Sequence, residues 1–79
     1  MTLRPRVRAE LAQHHIEPGP SETPDQLRER LRDLYLVEVR KLRDRRRAGD
    51  LPGSEFARAT QQLKDRYPLL GFPVNLWEE

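Results

Sequence analysis

The sequence predicts an all-α protein with three helices at about 5–15, 24–48 and 54–67. The long helix is central, it forms an antiparallel helical hairpin with the third, and an apolar C-terminal tail packs across them. Two observations carry this prediction. Apolar side chains recur every three or four residues in three segments bounded by proline or glycine, the pattern of amphipathic helices. No alternating apolar and polar run is long enough for a strand. The length of 79 residues suits a single small domain, 1–79, and a chain this short buries only ~60% of the surface its unfolded form exposes.

The first helix is expected to open at Pro5, because a proline at the first helical position lacks an N–H that would be unpaired there anyway. Leu3, Val7, Leu11 and His14 follow at spacings of four, four and three, which places them on one face. His14 is thus expected to face the core and its neighbour His15 the solvent. Pro18-Gly19-Pro20 forbids continuation.

The second helix has the fullest set of boundary signals. Thr23 precedes Pro24, and Gln26 completes a Thr-x-x-Gln capping box. Asp25 and Glu29 put negative charge near the amino end and Arg45 to Arg47 positive charge at the other, as the helix dipole favours. Gly49 supplies a left-handed stop after Ala48. The span is ~37 Å long at ~1.5 Å per residue. At ~100° per residue, Leu27, Leu31, Leu34 and Leu42 lie within ~80° of one another, Tyr35 and Val39 widen that stripe, Val37 lies off its other edge, and Leu36 points away from it. A helix that is apolar nearly all round at its waist is expected to be covered on both sides, here by the first helix on one flank and the third on the other.

The third helix is expected to start after Leu51-Pro52-Gly53, with Ser54 as N-cap and Glu55 in the first turn. Phe56, Thr60, Leu63 and Tyr67 form its inward row, and Pro68 ends it. The short turn before it makes the hairpin antiparallel. The tail from Leu69 to Trp77 is rich in large apolar groups, unlike disordered segments, and is expected to complete the core.

Composition excludes several classes. Hydrophobic residues make up 35% and charged residues another 35%, with a mean hydropathy of −0.92. The absence of cysteine removes disulfides and thiolate metal sites. Leu34 to Val37 is the longest apolar run, far short of the ~20 residues of a membrane span. Arg4, Arg6 and Arg8 are followed by no apolar stretch of the kind a secretory leader needs, so a cytoplasmic location is expected. Fifteen basic residues against thirteen acidic ones give +2, and all the basic ones except Lys41 and Lys64 are arginine, whose planar fork suits carboxylates, phosphates and aromatic faces.

Two stretches resemble known modules. Residues 7 to 34 read Val-Arg-Ala-Glu-Leu, then His-His-Ile-Glu-Pro-Gly-Pro, then Thr-Pro-Asp-Gln-Leu-Arg-Glu-Arg-Leu. This resembles the helix–extended-loop–helix class that includes LEM and SAP-like domains, and the resemblance implies binding of DNA or of a DNA-bridging protein. His15 stands where such modules usually have glycine, and the second helix here is much longer. Residues 36 to 70, with Leu42, Gly49-Asp50-Leu51-Pro52, Glu55-Phe56 and Leu69-Leu70, resemble SHOCT-like helical hairpins, which implies oligomerisation or protein contact.

Signals for chemistry are sparse. Ser21 and Ser54 both lie at predicted helix starts, where capping accounts for them. His14 and His15 diverge by ~100° on a helix and cannot chelate one ion together, and neither Glu10 nor Glu17 has ligand spacing to them. Glu38 falls by angle inside the apolar stripe, where a clamp to an arginine or to His14, or a place at the stripe's polar boundary, accounts for it better than catalysis. The four glycines form no phosphate loop. No catalytic residue, metal or cofactor is therefore expected, nor a small-molecule substrate or a membrane partner. The expected function is a non-enzymatic interaction or adaptor protein that docks onto a protein partner or onto itself, with Tyr35, Leu36 and Val37 as the contact residues. The alternative is a nucleic-acid-binding regulator that uses Arg40, Lys41, Arg43, Arg45, Arg46 and Arg47, a run broken only by Leu42 and Asp44. Asp44, four residues after Arg40 and three before Arg47, is expected to absorb part of that charge in local ion pairs.

Overall fold

The computed structural model describes residues 2–79. Three helices form: α1 (Pro5–Gln13), α2 (Pro24–Arg47) and α3 (Gly53–Asp65), followed by two 3-10 turns at Pro68–Gly71 and Val74–Leu76. The long central helix packs against α3 and the two C-terminal turns, so the all-α fold stands as predicted.

The amino end of α2 is capped as its sequence indicates. The Thr23 amide donates to Gln26 Oε1 at 2.9 Å and the Gln26 amide to Thr23 Oγ1 at 3.2 Å. At the other end Gly49 adopts φ +81°, and the amides of Gly49 and Asp50 donate back to the carbonyls of Arg46 and Arg45. These are the two nested bonds of a Schellman stop.

The end of α1 uses the same device with a different residue. Its helix stops at Gln13 rather than His15, because His15 takes φ +59°. The His15 amide donates to Ala12 and that of Ile16 to Leu11, both at 3.0 Å, while Ile16 is buried in the same cluster as Leu11. A glycine-type stop thus comes before Pro18-Gly19-Pro20 is reached. The start of α3 also differs from expectation. Pro52, not Ser54, is the N-cap residue, and no side chain caps the helix; the Phe56 amide already donates to the Pro52 carbonyl at 2.8 Å. Leu51 is buried, so the chain turns at once, and Gly53 leaves the room that Arg46 fills: a Cβ there would lie 3.2 Å from its guanidinium. Ser21 does not cap either, since Thr23 does that work.

The core gathers at one end of the molecule. Leu3, Val7, Leu11 and Ile16 from the N-terminal region join Leu27 and Leu31 of α2, Leu63 of α3, Tyr67 beyond the end of that helix, which stops at Asp65 rather than 67, and Leu69 and Trp77 of the tail. Trp77 is fully buried, and its indole N–H donates to the Phe72 carbonyl at 3.1 Å. The tail is locked to the amino terminus: Leu3 and Glu78 form an antiparallel bridge, the Arg4 amide donates to the Trp77 carbonyl at 2.9 Å and the Glu79 amide to the Thr2 carbonyl at 3.0 Å.

The waist of α2 corrects the expected packing. Only Leu27 and Leu31 are buried along this helix, both in its first third. Tyr35, Val39 and Leu42 are half-buried against the core cluster. Leu34, expected in the main stripe, is 40% exposed, Leu36 44% and Val37 46%. The covered residues follow spacings of four, four, four and three, and each four-residue step advances ~40° around the helix. The buried line therefore drifts toward Tyr35 and Val39, following α3, and leaves Leu34 at its edge. The first helix does not flank the waist. Its buried residues, Val7 and Leu11, belong to the cluster at the far end.

Candidate interaction surface

Residues along α2 opposite the drifting core line form a continuous exposed face. At ~100° per residue, Asp25, Glu29, Asp33, Leu36, Val37, Arg43, Asp44 and Arg47 all lie within ~60° of the line through Arg40, and every one of them is exposed. Read from the amino end, the face is acidic at Asp25, Glu29 and Asp33, apolar at Leu36 and Val37, and mainly basic from Arg40 to Arg47. It runs ~33 Å along the helix at ~1.5 Å per residue.

Of the three expected contact residues, Leu36 and Val37 lie on this face. Tyr35 does not. Its side chain is half-buried toward α3, with its ring 5.4 Å from that of Tyr67. There it lines a cleft between α2 and α3 with Val39, Leu42, Phe56 and Thr60. The acidic half of the face carried no functional signal in the sequence except its helical angle, since Asp25 and Glu29 are accounted for by the helix dipole alone.

The basic run is exposed throughout. Lys41 pairs with Glu38 at 3.5 Å, which places Glu38 at the polar edge of the stripe rather than in a clamp with an arginine or His14. Arg46 lies over the Phe56 ring, 5.3 Å from its centre. Asp44 makes no ion pair among the described residues, so the expected neutralisation of Arg40 and Arg47 does not occur, and Arg43, Arg46 and Arg47 surround a shallow hollow.

The histidines divide as expected. His15 is exposed at the αL position. The His14 ring stacks on Tyr67 at 4.1 Å, 18° from parallel, and its Nε2 lies 2.8 Å from the Arg66 carbonyl. A carbonyl only accepts, so Nε2 carries the proton. Burial and the Glu38 carboxylate hold the Tyr67 phenol above its ordinary ionisation value, against the pull of Arg66. Glu22 is shifted the other way. The Gly19 amide donates to its Oε1 at 2.8 Å and Arg30 at 2.7 Å, and both favour the carboxylate and lower its pKa. Among the described residues no three histidine or carboxylate side chains gather in a metal-holding group, and no helix is long and apolar enough to cross a membrane.

No family model, curated protein or solved structure matches this chain.

Proposed function

We propose that the protein is a non-enzymatic helical interaction module that docks through the exposed face of α2 centred on Leu36 and Val37. The observation that carries this reading is the exposure of those two side chains at 44% and 46% in the middle of the longest helix. Nothing in the packing of this chain requires them. Single exposed apolar residues are ordinary on protein surfaces, but these two adjoin on a helix face whose flanks are charged, the arrangement of helix-on-helix recognition.

A second reading rests on the unpaired arginines. Arg40, Arg43, Arg45 and Arg47 have no acidic partner among the described residues, and such a patch attracts phosphates. The reading extends to the LEM/SAP-like resemblance of residues 7 to 34, just as the docking reading accords with the SHOCT-like resemblance of residues 36 to 70.

A photo-reactive amino acid at position 36, with the same probe at exposed Ala57 on α3 as control, separates the two. The docking reading expects a protein adduct from position 36 well above the control; equal labelling at both positions overturns it. Binding of random duplex at two salt concentrations tests the other reading, which expects affinity to fall steeply with salt. No binding at low salt removes it.

A further inference from the structure

We propose that the partner of the α2 face is a second copy of this chain, laid antiparallel across the first about a two-fold axis between Leu36 and Val37. The inference rests on the docking reading above and names the occupant of that face.

Charge order along the face is the argument. A two-fold interface must be self-complementary, because the same patch meets itself reversed. With the axis between Leu36 and Val37, residue 36 of one protomer lies beside residue 37 of its partner, and pairs summing to about 73 lie level. Asp33 then meets Arg40 of the partner, Glu29 lies one residue from Arg43 of the partner, and Asp25 one residue from Arg47 of the partner. The two-fold repeats each contact, so six acid–arginine approaches surround four apolar side chains. A parallel pair would set acid against acid and arginine against arginine, which costs energy at every level. Asp44 is the exception, lying level with Glu29 of the partner; the arginines at positions 40 and 47 flank it on its own helix.

The face also meets the physical demands of such a pairing. All of its residues are exposed, and among the described residues neither an ion pair nor a hydrogen bond engages any of its charged side chains within the chain. Its apolar centre is small. Two side chains from each copy make an interface in the weak class, below ~1,200 Å², so dimerisation is expected at micromolar concentrations or above, with strong dependence on salt.

The test uses two charge-reversed proteins in sedimentation equilibrium. One carries Glu29→Arg and Asp33→Arg, the other Arg40→Glu and Arg43→Glu. All four sites are exposed, and helical content measured by circular dichroism verifies that each variant folds. The wild type is expected to rise from the 9.4 kDa of one chain toward twice that mass with concentration. Each variant alone is expected to need at least ~10-fold higher concentration for the same shift, and their equimolar mixture to recover it, because acidic and basic faces then oppose each other. A wild type that stays at one chain's mass up to about 1 mM overturns the proposal, as does a mixture no more associated than its components. The photo-adduct at position 36 separates the two failures. An adduct of twice the chain mass supports the second copy. An adduct with a different protein overturns the second copy but leaves the docking reading intact, and no adduct removes both.

Discussion

His15 holds the sharpest local conflict between residue type and backbone. A side chain at φ +59° meets the clash that makes left-handed geometry cost ~1–2 kcal/mol for L-residues, and it persists because the Schellman bonds and the burial of Ile16 end α1 at that point. His15→Gly should therefore raise stability by about 1 kcal/mol in urea melts, less than the full strain because glycine also loosens the unfolded chain. A destabilised variant would mean that the exposed imidazole makes a contact of value. Glu22 yields a prediction in pH. Its folded pKa lies below the ordinary value near 4.5, so its stabilising effect is fully present above that value and is lost as pH falls through the folded pKa. The gap in urea midpoint between wild type and Glu22→Gln should be open at neutral pH and close in acid. A gap that widens in acid contradicts the assignment. The glycine-like role of position 15 left no signal in the sequence. No pattern of apolar spacing marks a positive φ.

On the scale of the element, α2 is a helix whose ends were legible and whose middle was not. Thr23, Pro24, Gln26 and Gly49 act through bonds to near neighbours in sequence, and each does what its residue type dictates. Which side of the waist would be covered depended on where α3 lies, and helical angles alone cannot supply that. The stripe through Leu27 and Leu31 continues to Tyr35 and Val39 because the neighbouring helix follows the drift of four-residue steps. Leu34, Leu36 and Val37 are all left substantially exposed. The consequence is a contrast within one helix. Leu31→Ala should cost about 2–5 kcal/mol, as for buried leucine, whereas Leu36→Ala should stay within about 0.5 kcal/mol. Thermal or urea unfolding at low protein concentration measures both. Equal losses would mean that the waist is covered.

The whole molecule is a rod with its core at one end. Its extents are 45 × 18 × 17 Å and its radius of gyration is 14.7 Å, against about 12 Å for a compact chain of this length. The excess arises because the hairpin end, from Arg43 to Phe56, extends beyond the cluster that Trp77 completes and against which Leu42 still packs. The value of the tail was legible from its composition. Its bridge to the residues around Leu3 was not, because pairing across the full length of the chain leaves no local signal. Trp77→Ala should cost about 3–5 kcal/mol, as much as the core of so small a domain supplies, and is expected to leave the chain largely unfolded by circular dichroism; a variant with wild-type helicity and cooperative melting would contradict the central place given to the tail. With its core drawn to one end, the protein leaves the middle of α2 free, and a second copy of the chain is proposed to dock there. A dilution series followed by methyl NMR tests that claim most directly. The methyl resonances of Leu36 and Val37 are expected to shift with concentration while those of Leu27 and Leu31 stay fixed; shifts confined to other residues, or none up to about 1 mM, would contradict it.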